Sequence, residues 1–156
     1  MIFYYTYSQR TKIFAQSLGE VLGHPVYELV AELNKKSTFG FMFNALRLTF
    51  TNKTSPVSNM PDNVPGEIFV CSPVWGGRLA APAKYFLENA NLQGIRVSLL
   101  LTADVPTEKY KQAAFEYLRK FSCIPGDVFL FATSDKTMPD EETVKEQLRD
   151  ILEIEA

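Results

Sequence analysis

The chain has 156 residues, of which 46% are hydrophobic and 22% are charged. This balance favours a globular protein and excludes a disordered chain, and the length fits a single domain over residues 1–156. The net charge of −2 argues against nucleic-acid binding and against a polybasic membrane-surface protein. Because we see no secretion signal and no apolar run of about 20 residues, we expect a cytoplasmic protein that does not enter a membrane.

Apolar runs that suit buried strands alternate with amphipathic helical patterns along the chain. Strands are predicted at 2–6, 25–30, 67–72, 94–102 and 126–133, and helices at 12–22, 37–50, 82–90, 107–121 and 140–155. Gly23 is expected to end the first helix, Ser37 to cap the second and Thr107 the fourth. Residues 51–65 are interpreted as a long surface loop, and Asp135 and Lys136 as a solvated turn.

Five strands alternating with five helices predict an α/β fold, a parallel sheet with helices on both faces. Ligands of such sheets bind beyond the carboxyl ends of the strands, where the strand order reverses. If the first strand is central, Thr6–Thr11 and Ser72–Gly77 flank that point. The end of the fourth strand, from Thr102 to Pro106, is then expected beside them.

The loop after the first strand has the chemistry of an anion site. It offers three hydroxyls, backbone donors and one guanidinium just before a helix, in the sequence Thr6, Tyr7, Ser8, Gln9, Arg10 and Thr11. Helix starts favour negative charge, so the loop predicts a bound phosphate. The simpler alternative is a capped helix start without a ligand.

The loop after the third strand contains the sole tryptophan of the chain, within Ser72, Pro73, Val74, Trp75, Gly76 and Gly77. A tryptophan at a strand end, flanked by proline and glycine, is expected to face a ligand, on which it can stack. The alternative is a hydrophobic lid over the next helix. Tyr110 is a possible second aromatic contact, although helix packing is its expected role.

These residues resemble the flavodoxin family. The strand, hydroxyl loop and helix at 5–15 are similar to its phosphate loop. The run Pro73–Gly77, followed by Ala81-Pro82 and Phe86-Leu87, is similar to its tryptophan-containing signature. The resemblance covers essentially the whole chain and implies a flavodoxin-like doubly wound sandwich whose five parallel strands have the order 2-1-3-4-5.

The resemblance also implies non-covalent FMN. The phosphate would lie on Thr6–Thr11, and the isoalloxazine ring between Pro73–Gly77 and the loop of Thr102, Ala103 and Asp104. The protein would then be an electron carrier or a small flavin oxidoreductase, served by a redox partner protein or a nicotinamide donor. It would need neither a catalytic triad nor a metal.

The first loop departs from the family pattern at two positions. Gln9 stands where the family has glycine, which is expected to hinder the backbone turn, and Arg10 stands where it has asparagine. A second hypothesis is therefore a binding or regulatory domain that keeps this fold and has lost FMN. A phosphatase is a third, weaker hypothesis, since the loop offers no cysteine or aspartate nucleophile.

Overall fold

A computed structural model describes residues 1–35, 37–133 and 137–154. The strands are β1 (Ile2–Tyr4), β2 (Val26–Glu28), β3 (Glu67–Trp75), β4 (Arg78–Leu79), β5 (Arg96–Ala103) and β6 (Ile124–Ala132). The helices are α1 (Arg10–Leu22), α2 (Thr38–Thr51), α3 (Ala81–Asn89), α4 (Glu108–Leu118) and α5 (Glu141–Leu152), with a short 3-10 helix at Glu32–Lys35. The turn predicted at Asp135 and Lys136 lies outside the described residues. The last helix was predicted to reach 155, but α5 ends at Leu152 because Glu153 adopts a left-handed conformation.

Five parallel strands form one sheet in the order β2-β1-β3-β5-β6. Counted without the short β4, this is the predicted order 2-1-3-4-5, so the flavodoxin-like fold is confirmed. The first strand is central, with Phe3 pairing Tyr27 on one side and Val70 on the other. The strand order therefore reverses beside β1, and the carboxyl ends of β1 and β3 lie next to each other.

Successive side chains of a strand point to opposite faces of the sheet, and helices cover both faces. From β1, Ile2 and Tyr4 pack with α1 and α5 on one face. Phe3 and Tyr5 pack on the other face, where the core also contains residues of α2, α3 and α4. Tyr5 is fully buried although it lies just beyond the strand. The first loop consequently starts from a fixed point in the core.

The end of α1 and the start of α2 lie at the residues that the sequence predicts. Gly23 adopts a left-handed conformation with φ 65° at the end of α1, and the Ser37 hydroxyl accepts the Gly40 amide at 3.3 Å. Thr107 occupies the N-cap position of α4 as predicted, but its side chain makes no capping hydrogen bond. Helix α4 also ends at Leu118, three residues before the predicted end.

The segment predicted as a turn at 73–77 differs from expectation. Strand β3 continues through Trp75, and a two-residue turn returns the chain into β4. Gly76 and Gly77 have φ of 55° and 78°, the positive values that tight hairpin turns require at both central positions. The paired glycines are thus a hairpin signal, and β4 was missing from the prediction.

The loop at 51–65 is anchored at several points. Val57 forms a β-bridge with Ala31, and the Ser58 amide donates to the Val30 carbonyl at 3.0 Å. The Ser55 amide donates to the Ala81 carbonyl at 3.2 Å. These contacts hold the segment against the chain that follows β2 and against the start of α3.

Within the described ranges, no helix is both long and apolar enough to cross a lipid bilayer. The same residues bring together no group of three His, Cys, Asp or Glu side chains suited to a metal ion.

Candidate functional site

The first and fourth loops meet through a buried pair of threonines. The hydroxyl oxygens of Thr11 and Thr102 lie 2.8 Å apart, and either can donate. Both side chains are almost fully buried, as is Thr6 at the start of the loop. Two of the predicted hydroxyl residues, Thr6 and Thr11, are therefore buried, and Thr11 joins the first loop to the fourth. Of the three hydroxyls predicted for phosphate, the exposed one is that of Ser8.

Gln9 makes the tight turn that starts α1. Its φ of 68° lies in the left-handed region, which favours glycine, yet the turn forms with glutamine. Gln9 was expected to hinder this turn. The turn forms, but a non-glycine residue adopts this backbone conformation at a cost in free energy. Gln9 provides no side-chain cap, and the first turn of α1 holds no acidic residue. The positive end of the α1 dipole is therefore not compensated by a carboxylate within its own first turn.

Arg10 connects the first loop to the fourth. Its Nη1 lies 3.8 Å from Asp104 Oδ1, and Asp104 Oδ1 also accepts the Thr133 hydroxyl at 3.3 Å. The Arg10 side chain is 23% exposed and that of Asp104 64%. The guanidinium thus reaches the surface beside the start of α1, where it is available to an anion that competes with Asp104.

Four aromatic rings link the first loop to the β3–β4 hairpin. Tyr7 stacks on Phe41 of α2, with ring centroids 3.7 Å apart and planes at 6°. Trp75 meets Phe41 edge-on at 5.8 Å and Tyr5 edge-on at 5.6 Å. Phe41 is therefore the bridge between the first loop and the hairpin, and Trp75 has a fixed orientation.

The remaining hairpin residues shape the backbone. The Ser72 hydroxyl is fully buried, donates to the Pro73 carbonyl at 2.9 Å and accepts the Ala80 amide at 3.1 Å. A Cβ on Gly76 would lie 2.5 Å from Thr49 Cγ2. A Cβ on Gly77 would lie 3.2 Å from the Tyr110 ring. Glycine is needed here because α2 and α4 both approach the turn closely.

An apolar groove of about 570 Å³ runs between the hairpin and α2. Val74, Trp75 and Gly76 form one wall, and Phe41 and Phe50 lie on the other. The helix wall continues to solvent, with Phe50 84% exposed. The groove therefore offers a large aromatic surface, and its Phe41 ring is in direct contact with Tyr7 of the first loop.

The fourth loop contributes backbone and one carboxylate. The Ala103 carbonyl accepts the Thr133 amide at 2.9 Å and is thus occupied within the sheet. Asp104 is exposed and is the polar group that this loop presents at the carboxyl edge of the sheet.

Burial shifts the pKa of two titratable groups beneath the site. It raises the pKa of the Tyr5 phenol well above its usual value, with a smaller contribution from Tyr7. Burial likewise raises the pKa of the Cys71 thiol on β3. A thiol that stays protonated is a poor nucleophile, so Cys71 acts as a buried apolar side chain.

Neither a protein-family model nor a curated protein sequence matches the chain. Solved structures do match. A Bacteroides eggerthii structure assigned to a flavoprotein is 15% identical with a TM-score of 0.74 over 99% of this chain and 97% of that one. A Lactobacillus acidophilus flavoprotein in complex with FMN is 24% identical, with a TM-score of 0.66 over 83% of this chain and 90% of that one.

A third structure, oxidised flavodoxin 1 from Bacillus cereus, is 14% identical with a TM-score of 0.56 over 98% of this chain and 94% of that one. The fold, the strand order and these likenesses define the chain as a protein with the flavodoxin-like fold. At these identities, the likeness concerns the fold.

Sequence reasoning missed Phe41 and Thr133 as members of this region. Phe39, Phe41 and Phe43 alternate in the sequence, and nothing in that spacing tells which ring turns toward Tyr7. Tyr110 was named, and its ring packs against Gly77, in agreement with the packing role expected for it.

Proposed function

We propose that this protein binds FMN and acts in electron transfer or as a small flavin oxidoreductase. The observation that carries the proposal is a single juxtaposition at the carboxyl edge of the sheet. The start of α1 has neither an acidic residue nor a side-chain cap. Tyr7, just before it, stacks on Phe41, which lines the groove beside Trp75. A phosphate site next to an aromatic groove suits a flavin mononucleotide.

The donor set of the first loop fits a phosphate. The first amides of a helix have no acceptor within that helix, and their dipoles favour an anion. The exposed Ser8 hydroxyl and the Arg10 guanidinium add a neutral and a charged donor. Thr11 contributes indirectly, because its bond to Thr102 fixes the loop.

The groove fits a planar apolar ring. Trp75 is held edge-on by Tyr5 and Phe41, which leaves its orientation set before any ligand binds. Val74 and Phe50 add apolar surface that excludes water from a ring in the groove. FMN, when bound, supplies the one- and two-electron chemistry. The protonated Tyr5 phenol adds no charge beneath the site.

One observation favours a second candidate, a binding or regulatory domain that has lost FMN. The tight Tyr7–Phe41 stack, with Phe41 edge-on to Trp75, already closes the space between the first loop and the hairpin without a ligand. A domain without FMN has no need to open this stack.

The test is a titration of FMN fluorescence with the purified protein. We expect quenching at micromolar protein. Removing the Trp75 stacking surface in Trp75→Ala is expected to weaken binding by about 1 kcal/mol, roughly fivefold. Phe115→Ala removes a partly exposed ring on α4, away from the groove, and serves as the matched control with unchanged affinity.

Riboflavin separates the two halves of the site because it lacks the phosphate. Arg10→Gln is expected to weaken FMN binding and to leave riboflavin binding unchanged. Absence of quenching with the folded wild-type protein would contradict the proposal and favour the domain without FMN. With FMN bound, oxidation of NADPH by the protein alone would indicate an oxidoreductase rather than a carrier.

A further inference from the structure

A second cavity lies behind the hairpin, about 220 Å³ in volume, between β4, α3, α4 and the end of α2. Its floor is Lys84 of α3, whose side chain reaches inward and is only 4% exposed. Arg78 of β4 and Lys120, just beyond α4, line the same space. Three cationic side chains therefore surround one small cavity.

The groups in direct contact with the Lys84 ammonium are neutral. Its ammonium donates to Asn52 Oδ1 at 2.6 Å and lies 5.8 Å from the centre of the Tyr117 ring. Lys120 Nζ lies 5.4 Å from the same ring. Among the described residues, none of the ion pairs within 4.0 Å involves Lys84, Lys120 or Arg78.

The neighbouring carboxylates are already engaged elsewhere. Glu88 accepts the Tyr117 hydroxyl at 2.7 Å, and Glu116 pairs with Arg119 at 3.2 Å. Burial lowers the pKa of Lys84, and the charges of Arg78 and Lys120 lower it further, while Glu88 opposes them. Glu116 also lines the cavity, but among the described ion pairs neither carboxylate lies within 4.0 Å of a cavity cation. A buried ammonium without a close counter-charge is unfavourable.

We propose that this cavity binds a phosphate-sized oxyanion, held by the Lys84 ammonium at the floor and by Arg78 and Lys120 at its edge. The volume is below the 300 Å³ or so at which pockets for drug-sized ligands begin, so a whole mononucleotide is too large. Ala113 and Ala114 keep the α4 wall low. Asn52 keeps the Lys84 ammonium in place.

The oxyanion is either a free ion or the phosphate group of an ester. Arg78 lines both this cavity and the apolar groove beside Trp75, so the organic part of an ester would extend past Arg78 into that groove. The proposal concerns residues outside the first loop and does not depend on FMN binding.

The test follows backbone amide shifts of nitrogen-15-labelled protein during titration with inorganic phosphate at constant ionic strength. Saturating shifts are expected at Lys84, Tyr117 and Lys120. Shifts confined to 6–11, or no shifts at all, would overturn the proposal. A parallel titration with phenyl phosphate identifies the source: equal affinities support a free ion, and tighter phenyl phosphate supports an ester.

Lys84→Met keeps the length of the side chain and removes its charge. It is expected to weaken phosphate at this cavity by about tenfold or more, since charge-assisted bonds are the strong ones. Lys109→Met, on an exposed position of α4, is the matched control with unchanged affinity. Lys120→Gln, at an exposed position of the cavity edge, removes a second positive charge without altering the core. It is also expected to reduce the affinity for phosphate. Wild-type affinity in both cavity variants would overturn the proposal.

Discussion

The first loop and the cavity at Lys84 are both polar regions of this protein, but their groups are partnered differently. In the first loop, Thr11 pairs with Thr102, and Arg10 lies 3.8 Å from Asp104. In the cavity, Lys84 is buried with a neutral amide as its hydrogen-bond acceptor. The first region is held in shape by the protein, whereas the second carries a buried charge without a close counter-charge, which an external anion would supply.

This difference separates two ways of preparing a ligand site. The first loop is already held by its contacts to Thr102 and Asp104, so binding there has less of the chain to order. The cavity is electrostatically unfavourable without a ligand, so binding there removes a penalty. Substitutions can break the pairing in one region and remove the charge in the other.

The largest effect is expected from Thr11→Val. The substitution leaves the buried Thr102 hydroxyl without the partner that lies 2.8 Å away. A buried, unpartnered hydroxyl costs about 2 kcal/mol. Urea unfolding should show this loss, while Thr51→Val, at an exposed hydroxyl within α2, serves as a control with little change.

The double variant Thr11→Val with Thr102→Val tests the cause of that loss. Replacing both partners by apolar groups of similar shape is nearly neutral, so stability should return close to that of the wild type. Additive losses in the double variant would show that the hydroxyl pair is not what joins the two loops.

The sequence predicted the sheet because its signals are local and repeated. Apolar strands alternate with helical patterns, and this alternation determines a parallel sheet with covered faces. Gly23 and Ser37 marked their helix ends correctly, since capping depends on nearby backbone. The hairpin at Gly76 and Gly77 was missed because both residues also suit an ordinary loop.

The candidate site was harder to predict, because its contacts depend on tertiary packing. The loop residues that meet, Thr11 and Thr102, are 91 positions apart, and no periodicity relates them. The sequence around Lys84 is that of an ordinary helical lysine, and its burial depends on the positions of Asn52 and Tyr117 in the fold. Nothing local predicts a lysine that the fold encloses.

An intermediate effect is expected for the stability of Lys84→Met. Removing a buried charge that lacks a close counter-charge is expected to stabilise the protein by about 1 kcal/mol at neutral pH. Urea unfolding in buffer without phosphate measures it. A loss of stability would show that the bond to Asn52 and the Tyr117 ring together outweigh the penalty.

The same comparison depends on pH with a definite sign. The pKa of Lys84 is lowered in the folded protein, so the folded state loses its proton before the unfolded state does. Wild-type stability should therefore rise between that lowered pKa and about 10.4, the usual value for lysine. Arg78, Glu88, Glu116, Tyr117 and Lys120 face the same space and are common to both proteins. The advantage of Lys84→Met should shrink as the pH rises through this window.

The smallest effect is expected from Gln9→Gly, which changes the backbone rather than a pairing. Relief of the left-handed strain at φ 68° contributes about 1–2 kcal/mol, and the greater freedom of glycine in the unfolded chain offsets about 0.5–1 kcal/mol. A net gain of about 0.5 kcal/mol should appear in the urea midpoint with an unchanged slope.

Glu153→Gly is the matched control, because Glu153 has φ 54° at the end of α5, away from both sites. The two variants should gain similar stability, but only Gln9→Gly should also tighten FMN, since glycine lets the backbone approach a phosphate closely. A stability loss in Gln9→Gly alone would mean that the Gln9 side chain makes contacts worth more than the strain. The first loop would then be adapted to glutamine rather than merely tolerant of it.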